Sequence, residues 1–371
     1  MPARTATECF RIVAAWLKGF LKSRGDTASR LSRDSVLRRA ACPAPLAVRA
    51  SVLLPNEATV MAGWTTSDIP SQLGRTVLVT GTGGIGFHVA MAMARAGATV
   101  IVAGRNAAKG AAAVEQISRS LPRARVRFGA VDLANLDSIE TFADTVLRSH
   151  GSLDLLVNNA AVMTPPQRKE TADGFELQLG TNHLGHFALT ARLLPLLREG
   201  RDARVVSLSS IAARNGAIDF DDLQSRRRYV PMAAYSQSKL ACLLFAFELQ
   251  RRSTKAGWGI RSIAAHPGIS RTDLLPNGAG PRSPQALARR YLWFLFQPAE
   301  QGALPPLYAA TAPTAQAGGY YGPDTLSETR GHPVPAKVPT QAEDAGVAER
   351  LWQESERLTG TTFGSRHAQS A

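Results

Sequence analysis

Tyr235-Ser-Gln-Ser-Lys239 is the stretch whose residue types and spacing point most directly to chemistry. It sits in an apolar, helix-forming run, Ala233 to Leu249. On a helix, residues four apart share a face, one turn above the other. Tyr235 and Lys239 then open into one cleft. A free phenol titrates at about 10, too high for acid–base work near neutrality. A neighbouring ammonium stabilises the phenolate, so the spacing predicts a lowered Tyr235 pKa and a tuned general acid–base. Tyr and Lys four apart also arise on helices by chance, so the elements that would position the pair carry the argument.

The first of these is Gly74 to Thr80, a β-branched, apolar run that reads as a buried strand. Gly81-Thr82-Gly83-Gly84-Ile85-Gly86 follows, then an Ala-rich helix from Phe87 to Ala96. Strand, glycine-rich turn and helix is the context in which GxGxxG binds a dinucleotide. The glycines let backbone approach a pyrophosphate, and the helix N-terminus offers its N–H groups. The competing reading is a tight packing turn.

A second strand, Ala98–Ala103, leads into Gly104-Arg105-Asn106. NAD-binding units carry Asp or Glu there to hold the ribose 2′-hydroxyl. This chain has no acid at that place, and Arg105 is suited to a 2′-phosphate, so NADP(H) is favoured over NAD(H). The competing reading of Arg105 is an ordinary solvated loop arginine.

Further along, an Ala-rich helix covers 107–121 and a third strand, Val126–Val131, ends at Asp132-Leu133, placed to touch an adenine ring. A helix with apolar spacing at Ile139, Phe142, Val146 and Leu147 leads to a fourth strand, Leu153–Val157, ending in Asn158-Asn159-Ala160-Ala161. Small residues and amides there suit close approach to a ribose, or a hydrogen-bonded turn. One long helix is expected from Gly174 to Leu197, with Asn182 in its interior against helix propensity. His183 and His186 have no evident third ligand, so no metal site is expected. Strand five, Arg204–Leu208, delivers Ser209-Ser210 at its carboxyl end, where open parallel sheets bind ligands. Strand six, Ile260–Ala265, ends in His266-Pro267-Gly268.

Residues 291–296 (YLWFLF) hold four aromatics in six positions and read as either a lid over an apolar pocket or a buried helix face. Gly318 to Pro323 reads as a short final strand, 331–340 as Pro-rich and extended, and Ala342–Leu358 as a closing helix with Trp352 inward.

Composition sets the outer limits. The chain has 371 residues, 44% of them hydrophobic, enough for a large core. Cys9, Cys42 and Cys242 are widely spaced and form no CxxC. They suggest neither a disulfide framework nor zinc, and they fit a reducing, cytoplasmic location. The net charge of +14 permits non-specific nucleic-acid contact, yet no nucleic-acid module is present; the excess reads as solvated surface plus affinity for an anionic cofactor.

Residues 1–60 hold ten Lys or Arg against four acids. Their apolar stretch, Phe10 to Leu21, is interrupted by charges and too short to span a membrane. Three readings apply to the segment: an Arg-rich targeting peptide, an amphipathic membrane-surface segment, or an extension upstream of a natural start at Met61. The third is favoured, because Met61 leads without a break into the folded part. Residues 1–67 are expected to be poorly ordered, 68–364 to form the domain, and 365–371 a flexible tail.

Taken together, the glycine-rich turn, Asp132-Leu133, Asn158-Asn159-Ala160, the Tyr235/Lys239 pair and Pro267-Gly268, in this order, resemble the short-chain dehydrogenase/reductase family. Gly319-Tyr-Tyr-Gly-Pro, Gly331-His-Pro, Leu351-Trp352 and Leu358-Thr-Gly look most like its retinol-dehydrogenase-like branch. The resemblance runs from Trp64 to Gly364. It implies a catalytic tetrad of Asn182, Ser210, Tyr235 and Lys239. The Tyr would exchange a proton with the substrate oxygen and the Ser would orient that oxygen. The Lys would hold the nicotinamide ribose and lower the Tyr pKa, and the Asn would hold a relay water. Family members are often dimers or tetramers.

Two departures stand out. The family's TGxxxGxG turn is one residue shorter here, between Gly81 and Gly84, and Ala161 replaces the usual glycine of NNAG.

The expected fold is therefore a doubly wound α/β Rossmann domain with about seven parallel strands. The expected activity is NADP(H)-dependent interconversion of an alcohol and a carbonyl on a lipophilic small molecule. A nucleotide-binding scaffold, and reduction of an activated C=C bond on the same fold, are the alternatives.

Overall fold

The computed structural model describes residues 63–270 and 297–364. The aromatic run 291–296 lies outside the described residues. Strands β1 (Thr76–Thr80), β2 (Thr99–Gly104), β3 (Arg125–Ala130), β4 (Leu155–Asn158), β5 (Arg204–Leu208), β6 (Arg261–Ala265), β7 (Tyr320–Thr325) and β8 (Arg330–Pro335) form one sheet. Its order is β3-β2-β1-β4-β5-β6-β7-β8. The first seven run parallel, and β8 returns antiparallel beside β7.

The helices are α1 (Gly84–Arg95), α2 (Ala107–Ser120), α3 (Leu136–Ser149), α4 (Gly185–Arg198), α5 (Pro231–Ala256), α6 (Leu304–Thr311) and α7 (Ala345–Thr359). The chain order reverses between β1 and β4, which opens the crevice where such sheets take ligands.

The strands are apolar on both faces because helices cover both. Val77 and Val79 of β1 join Leu155 and Val157 of β4 in one layer with Val89 and Met93 of α1. Leu78 and Leu156, one residue out of phase, join Phe187 of α4 and Phe142 of α3 in the other. The period-two alternation of a strand thus feeds two cores at once. Leu240 and Leu244 of α5 pack with Leu351 of α7 in a third cluster. Trp352 is buried, edge-on to Phe187 at 5.0 Å and stacked on Phe245 at 5.8 Å. Trp64, before residue 68, is also buried, edge-on to Tyr308 at 5.5 Å, so the packed chain takes in part of the segment expected to be an extension.

Two expectations are corrected. The sheet has eight strands, not seven, because 330–335 closes its edge; Pro333 and Pro335 are tolerated there, since an edge strand leaves part of its N–H row unpaired. The helix expected from Gly174 opens later. Gly174 takes φ +80° and donates to the Thr171 carbonyl, closing a turn. A short helical turn, Leu177–Leu179, then runs through a π-helical segment, Gly180–Leu184, into α4.

Candidate active site

Thr80, the last residue of β1, is the hub of the turn. Its hydroxyl accepts from the N–H groups of Asn159 (2.9 Å) and Ala160 (3.0 Å). That leaves its own proton for His186 Nε2 at 2.9 Å. His186 Nδ1 then carries the ring proton and donates to the Asn182 carbonyl at 2.9 Å. The ring is neutral in this arrangement, and burial accordingly pushes its pKa down to about 4.

The Asn159 amide lies over the glycine turn, donating to the Thr80 carbonyl at 2.6 Å. A Cβ on Gly81 would come within 2.6 Å of that amide, and one on Gly86 within 2.5 Å. Gly81 also takes φ +98°, a conformation that glycine adopts without strain. Gly83 has open space around it, and no side chain caps the start of α1. The turn therefore presents bare backbone and a helix N-terminus to the crevice, the arrangement that cradles phosphates. The missing residue is absorbed between Gly81 and Gly84, and Gly84 opens the helix with Ile85 packed beneath it.

At the end of β2, the Thr82 methyl covers Gly104, where a Cβ would lie 2.9 Å from it. Arg105 follows, exposed at the rim. Asn106 caps α2, its Oδ1 accepting from Lys109 N–H at 2.9 Å. Asp132 folds onto its own loop, accepting from Ala134 N–H at 3.0 Å, while the Leu133 side chain is buried.

The four residues of the expected tetrad come from three elements. Tyr235 and Lys239 lie one turn apart on α5, both buried. Pro231 opens that helix and Gly257, at φ +64°, closes it. Ser210 follows β5, caps the short turn Ile211–Asn215 by accepting from Ala212 N–H at 3.2 Å, and its hydroxyl lowers the pKa of the Tyr235 phenol beside it. Ser209 is tied elsewhere, donating to the Lys239 carbonyl at 2.8 Å. Asn182 sits in the π-helical segment, where the extra residue per turn turns its side chain sideways to Val162. It accepts from Val162 N–H at 2.8 Å and donates to the Val162 carbonyl at 3.0 Å and Ser238 Oγ at 2.9 Å.

The pKa pattern differs from the sequence expectation. Burial pushes the Tyr235 phenol up to about 12, and the Ser210 hydrogen bond pulls it only partly back. Burial lowers Lys239, whose Nζ donates to the Leu208 carbonyl at 3.0 Å rather than to the phenol. In the protein alone, burial therefore works against the charged form of both groups. An anionic ligand beside Lys239 would favour its charge, and with it the expected pull on the phenol.

Sequence reasoning passed over three contributors. Cys242, one turn beyond Lys239, donates from Sγ to the Asn182 carbonyl at 3.1 Å. His186, one turn beyond Asn182, joins that carbonyl to Thr80. Their three- and four-residue offsets from tetrad members were the available signal. Glu328, which accepts from His266 Nε2 beside Pro267-Gly268, had none. Among the described residues no cluster of His, Cys, Asp or Glu could hold a metal ion, and no helix is long and apolar enough to cross a membrane.

This geometry meets its counterparts among known proteins. A sequence model described as short chain dehydrogenase matches residues 75–279. Polyprenol dehydrogenase of Mus musculus is 42% identical over 303 residues, covering 80% of this chain and 87% of that protein. Retinol dehydrogenase 13 of Homo sapiens is 41% identical over 316 residues, covering 84% and 91%. The solved structure of an uncharacterised protein from Mycobacterium paratuberculosis superposes with a TM-score of 0.68 at 42% identity, covering 82% of this chain and all of that one.

A Rossmann sheet with a Tyr–Lys helix beside a glycine-rich turn, matched over this length, defines the class: the chain belongs to the short-chain dehydrogenase/reductase family. Within it, the chain falls in the retinol-dehydrogenase-like branch, and it is an NAD(P)-dependent oxidoreductase acting on the CH–OH/C=O pair.

Proposed function

We propose that the protein interconverts an alcohol and a carbonyl on a lipophilic small molecule with NADP(H), using Tyr235 as general acid–base. The observation that carries this reading is the convergence of Ser210 and the buried Tyr235–Lys239 pair at the carboxyl ends of β5 and β6. The residues present fit a dinucleotide. Gly81, Gly83, Gly84 and Gly86 leave bare backbone at the start of α1, and Gly83 has no atom within 4 Å of its would-be Cβ.

Gly81 through Gly86 would hold the pyrophosphate, and Asp132 and Leu133 the adenine side. Asn159 and Ala160 would border the ribose, and Pro267 and Gly268 the nicotinamide. When bound, the nicotinamide supplies or accepts the hydride. Ser210 holds the substrate oxygen and polarises it. Tyr235 Oη gives that oxygen a proton in reduction and takes it back in oxidation. Lys239 binds the ribose and, in its charged form, stabilises the phenolate. Asn182 would hold a relay water; its side chain is braced by Val162 and Ser238, and its carbonyl by His186 and Cys242.

NADP(H) is preferred because Arg105 stands exposed after β2 with no acid at the neighbouring positions, leaving a guanidinium for a 2′-phosphate. A lipophilic substrate accords with the retinol and polyprenol named for its relatives. A cytoplasmic location and residues 68–364 as the catalytic domain complete the reading.

Fluorescence titration with NADPH and NADH tests it. Tighter binding of NADPH, lost in R105E, is expected. Equal affinity for both, or an R105E variant that binds NADPH as wild type does, would overturn the NADP(H) assignment.

A further inference from the structure

We propose that Glu328 is a positioning residue that locks the serine arm and the cofactor-side turn of the site into one unit. The proposal takes the roles of Ser210 and Gly268 from the functional reading above; the link itself stands on geometry alone.

β7 and β8 are joined by a tip in which Leu326, Ser327 and Glu328 take φ of 47°, 58° and 66°. Non-glycine residues rarely adopt this left-handed conformation, and three in succession persist only where surrounding contacts hold them. Leu326 is 65% exposed and contributes little packing. Thr329 Oγ1 closes the tip on itself, donating to the Leu326 carbonyl at 2.8 Å, and Glu328 ties it to the rest of the fold. Its Oε2 accepts from the Arg214 guanidinium at 2.5 Å and from His266 Nε2 at 2.9 Å. Its Oε1 accepts from Lys337 N–H at 3.1 Å. Arg214 also reaches the Ser327 carbonyl at 3.4 Å.

Each arm of this carboxylate leads to a different side of the site. Arg214 belongs to the short turn Ile211–Asn215, which Ser210 caps. His266 is fully buried at the end of β6, and its Nδ1 accepts from Gly268 N–H at 3.3 Å. A nitrogen that accepts carries no proton, so the ring proton lies on Nε2, aimed at Glu328. Glu328 therefore selects the tautomer that Gly268 needs. With the proton on Nδ1 instead, two donors would face each other and the turn would lose this bond.

The residue after Glu328 strengthens the same joint. The Thr329 carbonyl accepts from Ile269 N–H at 2.8 Å and fills the space a side chain on Gly268 would need, while Gly268 takes φ +62°. One strained tip thus fixes the backbone of the cofactor-side turn directly and the serine arm through Arg214. No hydrogen bond joins Arg214 to residues 267–270 among the described residues; the two arms are otherwise tied by the β5–β6 ladder, where Ser209 N–H donates to the Ala265 carbonyl at 2.8 Å, and neither substitution touches it.

Amide hydrogen exchange of the cofactor-free, full-length protein tests this in wild type, R214A, E328A and the double variant. Each single substitution is expected to speed exchange at Gly268 and Ile269 about tenfold, with the double variant no faster than E328A, as two residues acting through one link behave. Ring ¹⁵N shifts of His266 are expected to show the Nε2-protonated tautomer in wild type and to lose it in E328A. An R214A protein that exchanges at Gly268 and Ile269 like wild type, effects that multiply in the double variant, or an unchanged His266 tautomer in E328A would each overturn the proposal. Should E328A not fold, R214A alone decides, since its side chain is partly solvent-exposed. NADPH titration of the same proteins reads the functional consequence, an expected loss of about tenfold in affinity. A wild type that binds no nicotinamide cofactor would sink the functional reading and leave the exchange result to judge Glu328.

Discussion

At the scale of single residues, the site pairs two buried ionisable groups whose charged forms burial opposes. Tyr235 is held up to about 12 by burial, and Lys239 is lowered by the same cause. Replacing Tyr235 with Phe removes the proton that, in the proposed mechanism, the substrate oxygen exchanges, while keeping the ring in place. Turnover is expected to fall by about 10²- to 10⁴-fold, with NADPH affinity within about twofold of wild type in the same titration; substantial residual turnover would remove Tyr235 from the role.

Lys239→Met separates binding from stability. The ammonium is desolvated and hydrogen-bonds only the Leu208 carbonyl. An apolar side chain of similar length is therefore expected to leave the thermal midpoint unchanged or raised, since burying the charge is costly. NADPH affinity is expected to drop at least about tenfold as the ribose loses its partner. A large loss of stability with unchanged affinity would make Lys239 a structural residue.

At the scale of elements, the site depends on irregular backbone held by regular packing. The π-helical segment Gly180–Leu184 turns Asn182 toward Val162, and α5 supplies Ser238 and Cys242 to brace it. The carboxyl end of β2, where Arg105 stands, rests on equally close packing between α2 and β3. A Cβ on Gly110 of α2 would run into the Phe128 ring of β3. Gly110→Ala gains helix propensity of about 1 kcal/mol, yet the ring must move to admit the methyl. The clash is expected to win, with a net loss of about 1–2 kcal/mol in urea unfolding. A stabilised variant would show that the ring yields freely. The neighbouring strand explains the glycine within this Ala-rich helix.

At the scale of the whole molecule, buried imidazoles set the acid limit. Burial lowers His183 to about 3 and His186 to about 4, and lowers His266 as well. Their unfolded value is about 6.5. A group whose folded pKa is depressed contributes stability above its unfolded pKa and loses it as pH falls toward the folded one. Unfolding free energy is therefore expected to be flat above about pH 6.5 and to fall through the range from 6.5 to 4, with His186 alone accounting for on the order of 3 kcal/mol by pH 4. Urea titrations between pH 7.5 and 4 check the slope, and H186Q should be less stable at neutral pH yet show a shallower acid limb. An equally steep limb in H186Q would assign the acid sensitivity elsewhere. The sheet edges are also built for a closed fold. β8 carries Pro333 and Pro335, and the opposite edge, β3, exposes Arg125 and Arg127, both of which discourage edge-to-edge pairing.

The sequence by itself determined the order of strands and helices, the glycine turn and the spacing of Tyr235 and Lys239. These are local properties, set by apolar periodicity, by backbone freedom at glycine and by the pitch of a helix, and the observed elements lie within a few residues of the expected ones along most of the described chain. The tertiary structure decided what depends on distant partners. The eighth strand exists because 330–335 finds the edge of β7, and the helix start moved because Gly174 closes a turn on Thr171. Burial overrode the simple expectation for the Tyr235 pKa. Ser209 and Ser210 are equivalent by type, and only the approach of α5 gives one the Lys239 carbonyl and leaves the other beside the Tyr235 phenol. Glu328 was silent in the sequence because its meeting with Arg214 and His266 spans more than sixty residues in one case and more than a hundred in the other, and hydrogen bonds at that range follow the path of the chain rather than its local spelling.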